Sequence, residues 1–314
     1  MKSRFDLSPP VRWLKAAAVV VAGLLALTAC STANPLTSAT PSAGSSSAPA
    51  TLVVGSQQYY SNEIIAELYA QALEAKGFKI TRQFQIGQRE VYLPELIAGK
   101  VDVFPEYSGN LLQYLDKAAT AKSGAEVMAA LPDALPDGLR ILGAAEATDQ
   151  DSYNVTKEFA AKHGLVSIED LAKVGGAIKV GANSEFAKRP YGPIGLKGVY
   201  GLDVSVISID DSGGPLTVKA LKDGKIQLAD IYSADPSIAT NEFVTLTDPK
   251  NLILPQNVVP VVSAKVDTTA AAIIDKVSAE LSTAELVGLN AISVKDQSSS
   301  AVIAKAWLTA KGLL

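Results

Sequence analysis

The side chains that carry most hydrolytic and metal chemistry are nearly missing from this chain, which holds one histidine, His163, and one cysteine, Cys30. A disulfide and a zinc site of the usual His/Cys kind are excluded, and a Ser-His-Asp triad would have to run through His163. His163 closes the stretch Glu158-Phe159-Ala160-Ala161-Lys162-His163-Gly164. That pattern predicts the last turn of a helix stopped by glycine, a place that favours a cation and makes the residue structural. There is no glycine-rich phosphate loop and no serine nucleophile elbow. The formal net charge of −4 leaves no basic excess for a nucleic-acid partner. The chemistry expected is therefore binding, with no catalytic residue, metal or cofactor.

Cys30 carries a different chemistry. Lys2, Arg4, Arg12 and Lys15 precede an apolar run over 16–28, too short for a comfortable membrane span, and the run ends in Leu27-Thr28-Ala29-Cys30. The segment resembles a lipoprotein signal with its lipobox, which implies cleavage before Cys30 and a diacylglycerol group on its sulfur. Residues 31–50 are almost wholly Ser, Ala, Thr, Pro and Gly. They cannot bury enough apolar surface to fold, and a tether is expected there. The localisation that follows is the extracytoplasmic face of the cell membrane, through a lipid anchor.

From about residue 51 the pattern alternates between strand and helix. A β-branched strand over 51–54 ends at Gly55. Ser61 is placed to cap a helix whose Ile64, Ile65, Leu68, Ala72 and Leu73 recur at helical spacing until Gly77. A strand over 78–84, a short helix over 92–98 and a strand over 101–104 broken at Pro105 follow. A second unit of the same kind begins near Tyr153, with an N-capped helix at 167–171, strands at 178–180 and 204–209, a helix at 217–222 and a strand over 226–231 running into Tyr232. Helices over 269–281 and 283–289 have no sheet of their own and must pack on an existing one. This order implies α/β lobes with mainly parallel sheets, which bind ligands at the carboxyl ends of their strands. The loops after Val54 and Phe104 are the first places to look.

Gly55-Ser56-Gln57, the run from Leu96 through Pro105-Glu106-Tyr107-Ser108-Gly109-Asn110, Asp151-Ser152-Tyr153, Ser184 to Arg189, Tyr200-Gly201-Leu202, Ala220 to Gly224 and Ala229-Asp230-Ile231-Tyr232-Ser233 occur in one register. Together they resemble the ProX/OpuC-type substrate-binding lipoproteins of osmoprotectant ABC importers, whose cargoes include glycine betaine, choline and carnitine. The resemblance implies a two-lobed periplasmic-binding-protein fold of type II-like form, with two crossovers and C-terminal helices packed on the first lobe. The expected division is signal 1–29, acylated Cys30 and tether 30–50, lobe 1 at 51–147 and 260–314, and lobe 2 at 148–259. It also implies a monomer serving the transmembrane subunits of an ABC permease.

A trimethylammonium group has diffuse charge and no donor, so its natural container is a box of aromatic faces. The resemblance assigns that role to Tyr107, Tyr153 and Tyr232. The family's fourth aromatic aligns with Gln256; neighbouring Tyr191 is placed to swing in as a substitute, although Pro190-Tyr191-Gly192-Pro193 reads first as a surface turn. Gln57, Arg189 and Asn110 are the expected partners of a carboxylate, which favours a zwitterion such as glycine betaine. Of Tyr59 and Tyr60, one is free to line the cleft and the other must point elsewhere. The alternatives are a different cargo (an ergothioneine-like betaine, an amino acid or a polar aromatic compound) or a degenerate envelope or sensory lipoprotein. Cys30→Ala is expected to release the protein from the membrane fraction while leaving the ligand affinity of the soluble protein unaltered, as read by fractionation and calorimetry.

Overall fold

The computed structural model describes residues 51–314; the signal, Cys30 and the tether lie outside the described residues. The chain builds two five-stranded sheets. In the first, β1 (Thr51–Gly55) lies between β2 (Lys79–Gln83) and β3 (Val103–Tyr107), parallel to both, and α1 (Tyr60–Ala75) and α2 (Arg89–Ile97) are the connections. After α3 (Ser108–Leu115), α4 (Gly124–Ala134) and the short β4 (Leu139–Ile141), the chain leaves this sheet.

The second sheet opens with β5 (Tyr153–Val155) and α5 (Lys157–His163). It continues through β6 (Ile178–Ala182), α6 (Pro193–Tyr200), β7 (Val204–Ser208), α7 (Pro215–Lys222), β8 (Leu228–Asp230), α8 (Ser237–Thr240) and β9 (Val244–Thr245). Its strand order is β7-β6-β8-β5-β9. The chain then returns as β10 (Val258–Ser263), antiparallel between β3 and β4, to give the first sheet the order β2-β1-β3-β10-β4. The two crossovers run side by side and pair at Thr148 and Asn257. Because Val258 already pairs with Tyr107, the first sheet resumes at 258, two residues before the expected boundary at 260. The mixed α/β, two-lobed architecture is the one expected.

The C-terminal helices α9 (Thr268–Glu280), α10 (Thr283–Asp296) and the unanticipated α11 (Ser300–Lys311) cover the outer face of α1. Ile274, Val277, Leu281, Leu286, Leu289, Ile303, Trp307 and Leu308 share one apolar cluster with Leu68, Tyr69 and Leu73 of α1. This explains why α1 is buried nearly all round: it has a sheet on one side and three helices on the other. His163 ends α5 against Gly164, whose φ of 63° is the left-handed cap that the sequence predicts.

One local expectation is corrected. Pro105 does not break β3; the strand runs through it to Tyr107. In register, Pro105 faces Pro260 of β10, at a position where neither nitrogen points into the ladder between them. The carbonyl of Pro105 instead accepts from Asn62 Nδ2 at 2.9 Å and that of Pro260 from the Leu142 amide, so neither proline removes a needed donor.

That continuation puts Glu106 in the interior, where it is fully buried. Arg89 Nε and Nη2 donate to its two oxygens at 2.8 and 2.9 Å, Tyr92 donates its hydroxyl, and the Tyr107 amide donates at 2.9 Å. Arg89→Met would strand this carboxylate and is expected to cost about 3–5 kcal/mol in urea unfolding. Adding Glu106→Leu to the same chain should restore much of the loss, because the buried charge then disappears with its partner.

Candidate ligand-binding cleft

The carboxyl ends of β1 and β3 open towards those of β6 and β8, and side chains from all four strand exits line one cleft. The space between these side chains left unfilled by atoms is about 440 Å³, part of it open to solvent. The exit of β1 is fixed by Asn62, a residue without an obvious sequence signal. Its Oδ1 accepts from the Gln57 amide at 2.8 Å, while its Nδ2 donates to Pro105 O and to Tyr107 Oη. Asn62 thereby ties the loop carrying Gln57 to the strand carrying Tyr107. The helix begins one residue before Ser61, so Ser61 does not cap it; its hydroxyl donates to Asp149 on the crossover at 2.9 Å.

Of the two adjacent tyrosines, Tyr59 lines the cleft and Tyr60 points away, donating to Asp235 Oδ2 at 2.8 Å. The Tyr59 ring sits 6.4 Å from that of Tyr107 and 4.9 Å from that of Tyr232, so three tyrosines form one aromatic wall. The remaining aromatic contribution from lobe 2 differs from expectation. Tyr153 lies outside the cleft lining, 1% exposed in the core of its lobe, where its hydroxyl donates to the Tyr191 carbonyl and its ring meets Phe186 edge-on at 6.2 Å. Tyr191 takes the place in the wall, 5% exposed, with its ring 6.1 Å from Phe186.

The turn at Tyr191 is therefore folded inward, contrary to its reading as a surface turn. Two glycines allow this: a Cβ on Gly192 would fall 2.1 Å from the Phe186 carbonyl, and one on Gly195 would fall 1.9 Å from that of Pro190. The proline-glycine spacing is the available signal, but it marks a tight turn without saying which way the turn faces.

The remaining expected residues all lie at the cleft, in altered roles. Gln57 lines it, 5% exposed. Asn110, in the first turn of α3, donates through Nδ2 to Asp151 Oδ2 at 2.7 Å and to Tyr191 Oη at 3.2 Å, bridging the lobes. Gln256, on the returning crossover, donates to the same Asp151 oxygen at 3.4 Å. Arg189 reaches across to lobe 1, where Nη1 and Nη2 meet the two oxygens of Glu90 at 2.8 and 3.2 Å. Its guanidinium lies 5.8 Å from the Tyr114 ring, with Arg89 at 5.7 Å from the same ring. The expected ligand clamp is here a latch between protein groups. Gln88, which carries no signal in the sequence, lines the cleft with its Nε2 buried and without a protein partner.

Electrostatically the cleft combines neutral phenols with carboxyl groups. Burial, followed by neighbouring acidic and phenolic groups, pushes Tyr59 and Tyr232 well above the usual phenol range, and burial followed by Asp149 does so for Tyr107. Their rings stay uncharged. Burial also pushes Asp149 up to about 7, against the bonds from the Ala234 amide and the Ser61 hydroxyl. Burial and then Asp151 raise Asp230 well above the carboxylate range. Among the described residues no cluster of three or more His, Cys, Asp or Glu is placed to hold a metal ion, and no helix is long and apolar enough to cross a membrane.

Two α/β lobes joined by paired crossovers, closing on an aromatic cleft at their strand ends, define a solute-binding protein of the two-lobed periplasmic type. The family model described as the substrate binding domain of the ABC-type glycine betaine transport system, OpuAC, matches residues 50–310, and the chain belongs to that family. The family comprises extracytoplasmic binding components of ABC importers, which carry solute and perform no bond chemistry. The glycine betaine-binding protein YehZ of Escherichia coli is 26% identical over 212 residues, 63% of this chain and 69% of YehZ. A glycine-betaine-binding protein of Pseudomonas aeruginosa is 25% identical over 270 residues, 81% of this chain and 86% of its own. A solved structure described as a glycine betaine/carnitine/choline ABC transporter superposes with a TM-score of 0.68 at 24% identity, covering 83% of this chain and 99% of that one. This last likeness concerns the fold.

The raised Asp149 gives a pH signature. The folded chain holds its proton up to about pH 7, whereas the unfolded chain releases it near the ordinary value of 3.8, so the folded state binds more protons between those limits. This group's contribution to stability is fully present below the unfolded value and is lost as pH rises through the folded one. Urea midpoints are expected to fall between about pH 5 and about pH 8, and Asp149→Asn to flatten the fall.

Proposed function

We propose that this protein captures a small quaternary amine of the glycine betaine type in the interlobe cleft and presents it to the transmembrane subunits of an ABC permease. The observation that carries the reading is the set of tyrosine rings, Tyr59, Tyr107 and Tyr232 against Tyr191, gathered on one cleft from both lobes. Electron-rich neutral rings suit a trimethylammonium, which needs a polarisable wall and offers no hydrogen. Gln88 Nε2, a buried donor without a protein partner, and the side-chain amide of Gln57 are suited to a carboxylate. The E. coli and P. aeruginosa relatives are both named for binding glycine betaine, which supports the same cargo.

The mechanism is a population shift. Ligand touching residues of both lobes favours the closed state, and the hinge is the crossover pair at Thr148 and Asn257. The lobes that move are 51–147 with the returning C-terminal segment, and 148–257. The Arg189–Glu90 pair, with Glu90 half exposed, contributes under about 1 kcal/mol and can open and reform with each cycle. The protein acts as a monomer, held at the membrane by diacylated Cys30, since a single acyl chain retains a protein only marginally.

In a thermal-shift series, glycine betaine is expected to raise the melting temperature in proportion to the logarithm of its concentration above the dissociation constant. If glycine betaine, choline, carnitine and ergothioneine all leave it unmoved, the quaternary-amine reading fails. Tyr107→Ala and Tyr191→Ala should each weaken binding by about 1–2 kcal/mol in calorimetry. Tyr153→Phe, which touches the cleft only through Tyr191, should weaken it less.

A further inference from the structure

Asp149, on the first crossover, has no task in the capture mechanism so far. It is 3% exposed and lines the cleft together with Tyr59, Tyr107 and Tyr232. Its Oδ1 accepts from the Ala234 amide at 3.0 Å and its Oδ2 from the Ser61 hydroxyl at 2.9 Å. Asn290 of α10 fixes both donors from behind, with Nδ2 donating to Ser61 Oγ at 3.1 Å and to the Ala234 carbonyl at 3.0 Å. Because Ser61 Oγ already accepts from Asn290, its own hydrogen is left for Asp149. Both carboxyl oxygens thus face donors, an arrangement that suits the ionised form.

What that carboxylate lacks is a counter-charge. The titratable groups facing it are Tyr59 and Tyr60 at the start of α1, Tyr107 at the end of β3, Asp151 on its own crossover, and Tyr232 and Asp235 after β8. All are phenols or acids, and α10 presents the neutral Asn290. The two guanidinium groups at the cleft are committed elsewhere, Arg89 to Glu106 and Arg189 to Glu90. Burial therefore keeps a proton on Asp149 up to about pH 7 in spite of its two donors. A buried carboxyl group with good donors and no cation is half of an ion pair. The same group acts electrostatically on all three tyrosines of the wall, so a cation packed against those rings falls within its field.

Resting on the betaine reading above, we propose that Asp149 is the counter-ion of the cargo's ammonium group, a specificity-determining residue that selects a fixed positive charge. The rings of Tyr59, Tyr107 and Tyr232 give the ammonium a surface to pack against, and Asp149 gives the full negative charge that neutral phenols lack. The empty cleft holds a proton on this carboxyl group, and capture of the cation sends that proton to solvent. Cargo affinity consequently rises with pH, because the complex binds fewer protons than the free protein. Ser61 lies on lobe 1 and Ala234 on the chain leaving β8, so the carboxylate is oriented only where both meet the crossover.

Isothermal calorimetry of the purified protein with glycine betaine, in two buffers of different ionisation enthalpy, counts the protons released. At about pH 6, roughly half a proton or more is expected to leave per ligand bound, and Kd is expected to fall about tenfold between about pH 5 and about pH 8. Asp149→Asn keeps the side-chain shape and an acceptor for the Ala234 amide, and is expected to release almost no proton and to hold Kd within about threefold over that range. Ser61→Ala removes one donor from the carboxylate and is expected to move the midpoint of the affinity rise to higher pH, which tests the assignment without altering Asp149 itself. A Kd that ignores pH, with no proton released by the unaltered protein, overturns the inference and leaves the betaine reading standing. Proton release that persists in Asp149→Asn, or a midpoint unmoved by Ser61→Ala, overturns the assignment to this residue. If glycine betaine, choline and carnitine all fail to bind at every pH, the betaine reading is lost and the inference with it.

Discussion

The buried carboxylate of Glu106 is the constraint on which the first lobe and its half of the cleft depend. A charge with no exposed surface survives only if its lone pairs are occupied, and here the Arg89 fork, the Tyr92 hydroxyl and the Tyr107 amide occupy them. Those donors come from α2 and from the end of β3, so satisfying the charge fixes the helix against the strand. Tyr107 and Asn110 leave that strand end, and Glu90, next to Arg89 on α2, faces the other lobe. One buried network thus orients an aromatic wall, an interlobe hydrogen bond and an interlobe ion pair.

The second consequence concerns how the lobes meet. Asn110 to Asp151, Arg189 to Glu90, Tyr60 to Asp235 and Ser61 to Asp149 are all contacts of lobe 1 with lobe 2 or with the crossover. Most of these groups are polar and several are ionisable, in contrast with the apolar clusters inside each lobe. Polar contacts between rigid bodies can be exchanged for water at little net cost, whereas apolar cores cannot. That difference fits the proposed mechanism, in which two stable lobes move as units and ligand occupancy decides between open and closed states.

Much of this is legible in the order of residues. The strand exits at Gly55 and Tyr107 and the strand leading into Tyr232 follow from β-branched runs punctuated by glycine and helix starts, and Gln57, Tyr107 and Tyr232 all line the cleft. Tyr153 and Tyr191 exchange their expected places for a specific reason. Tyr153 belongs to a three-residue strand whose residues are all buried, so alternation does not reveal which face looks at the ligand. Tyr191 sits in a proline-glycine turn, a pattern more often found at the surface. Only the close approach of Gly192 and Gly195 to neighbouring carbonyls turns it inward. Pro105 misleads in the same way, since the opposing Pro260 that makes it harmless lies far along the chain.

The sequence by itself determined the alternation of elements, the two-lobed class, the absence of a histidine or cysteine constellation, and which loops carry the site. These depend on local periodicity and turn chemistry, which act over a few residues. Tertiary structure alone decided that Arg189 commits its charge to Glu90, that Tyr59 rather than Tyr60 faces the cleft, and that Asp151 and Asp230 stand together and share a retained proton. Each of those outcomes is a competition between groups distant along the chain for one donor or one volume, and such a competition is settled only when the lobes have folded and met.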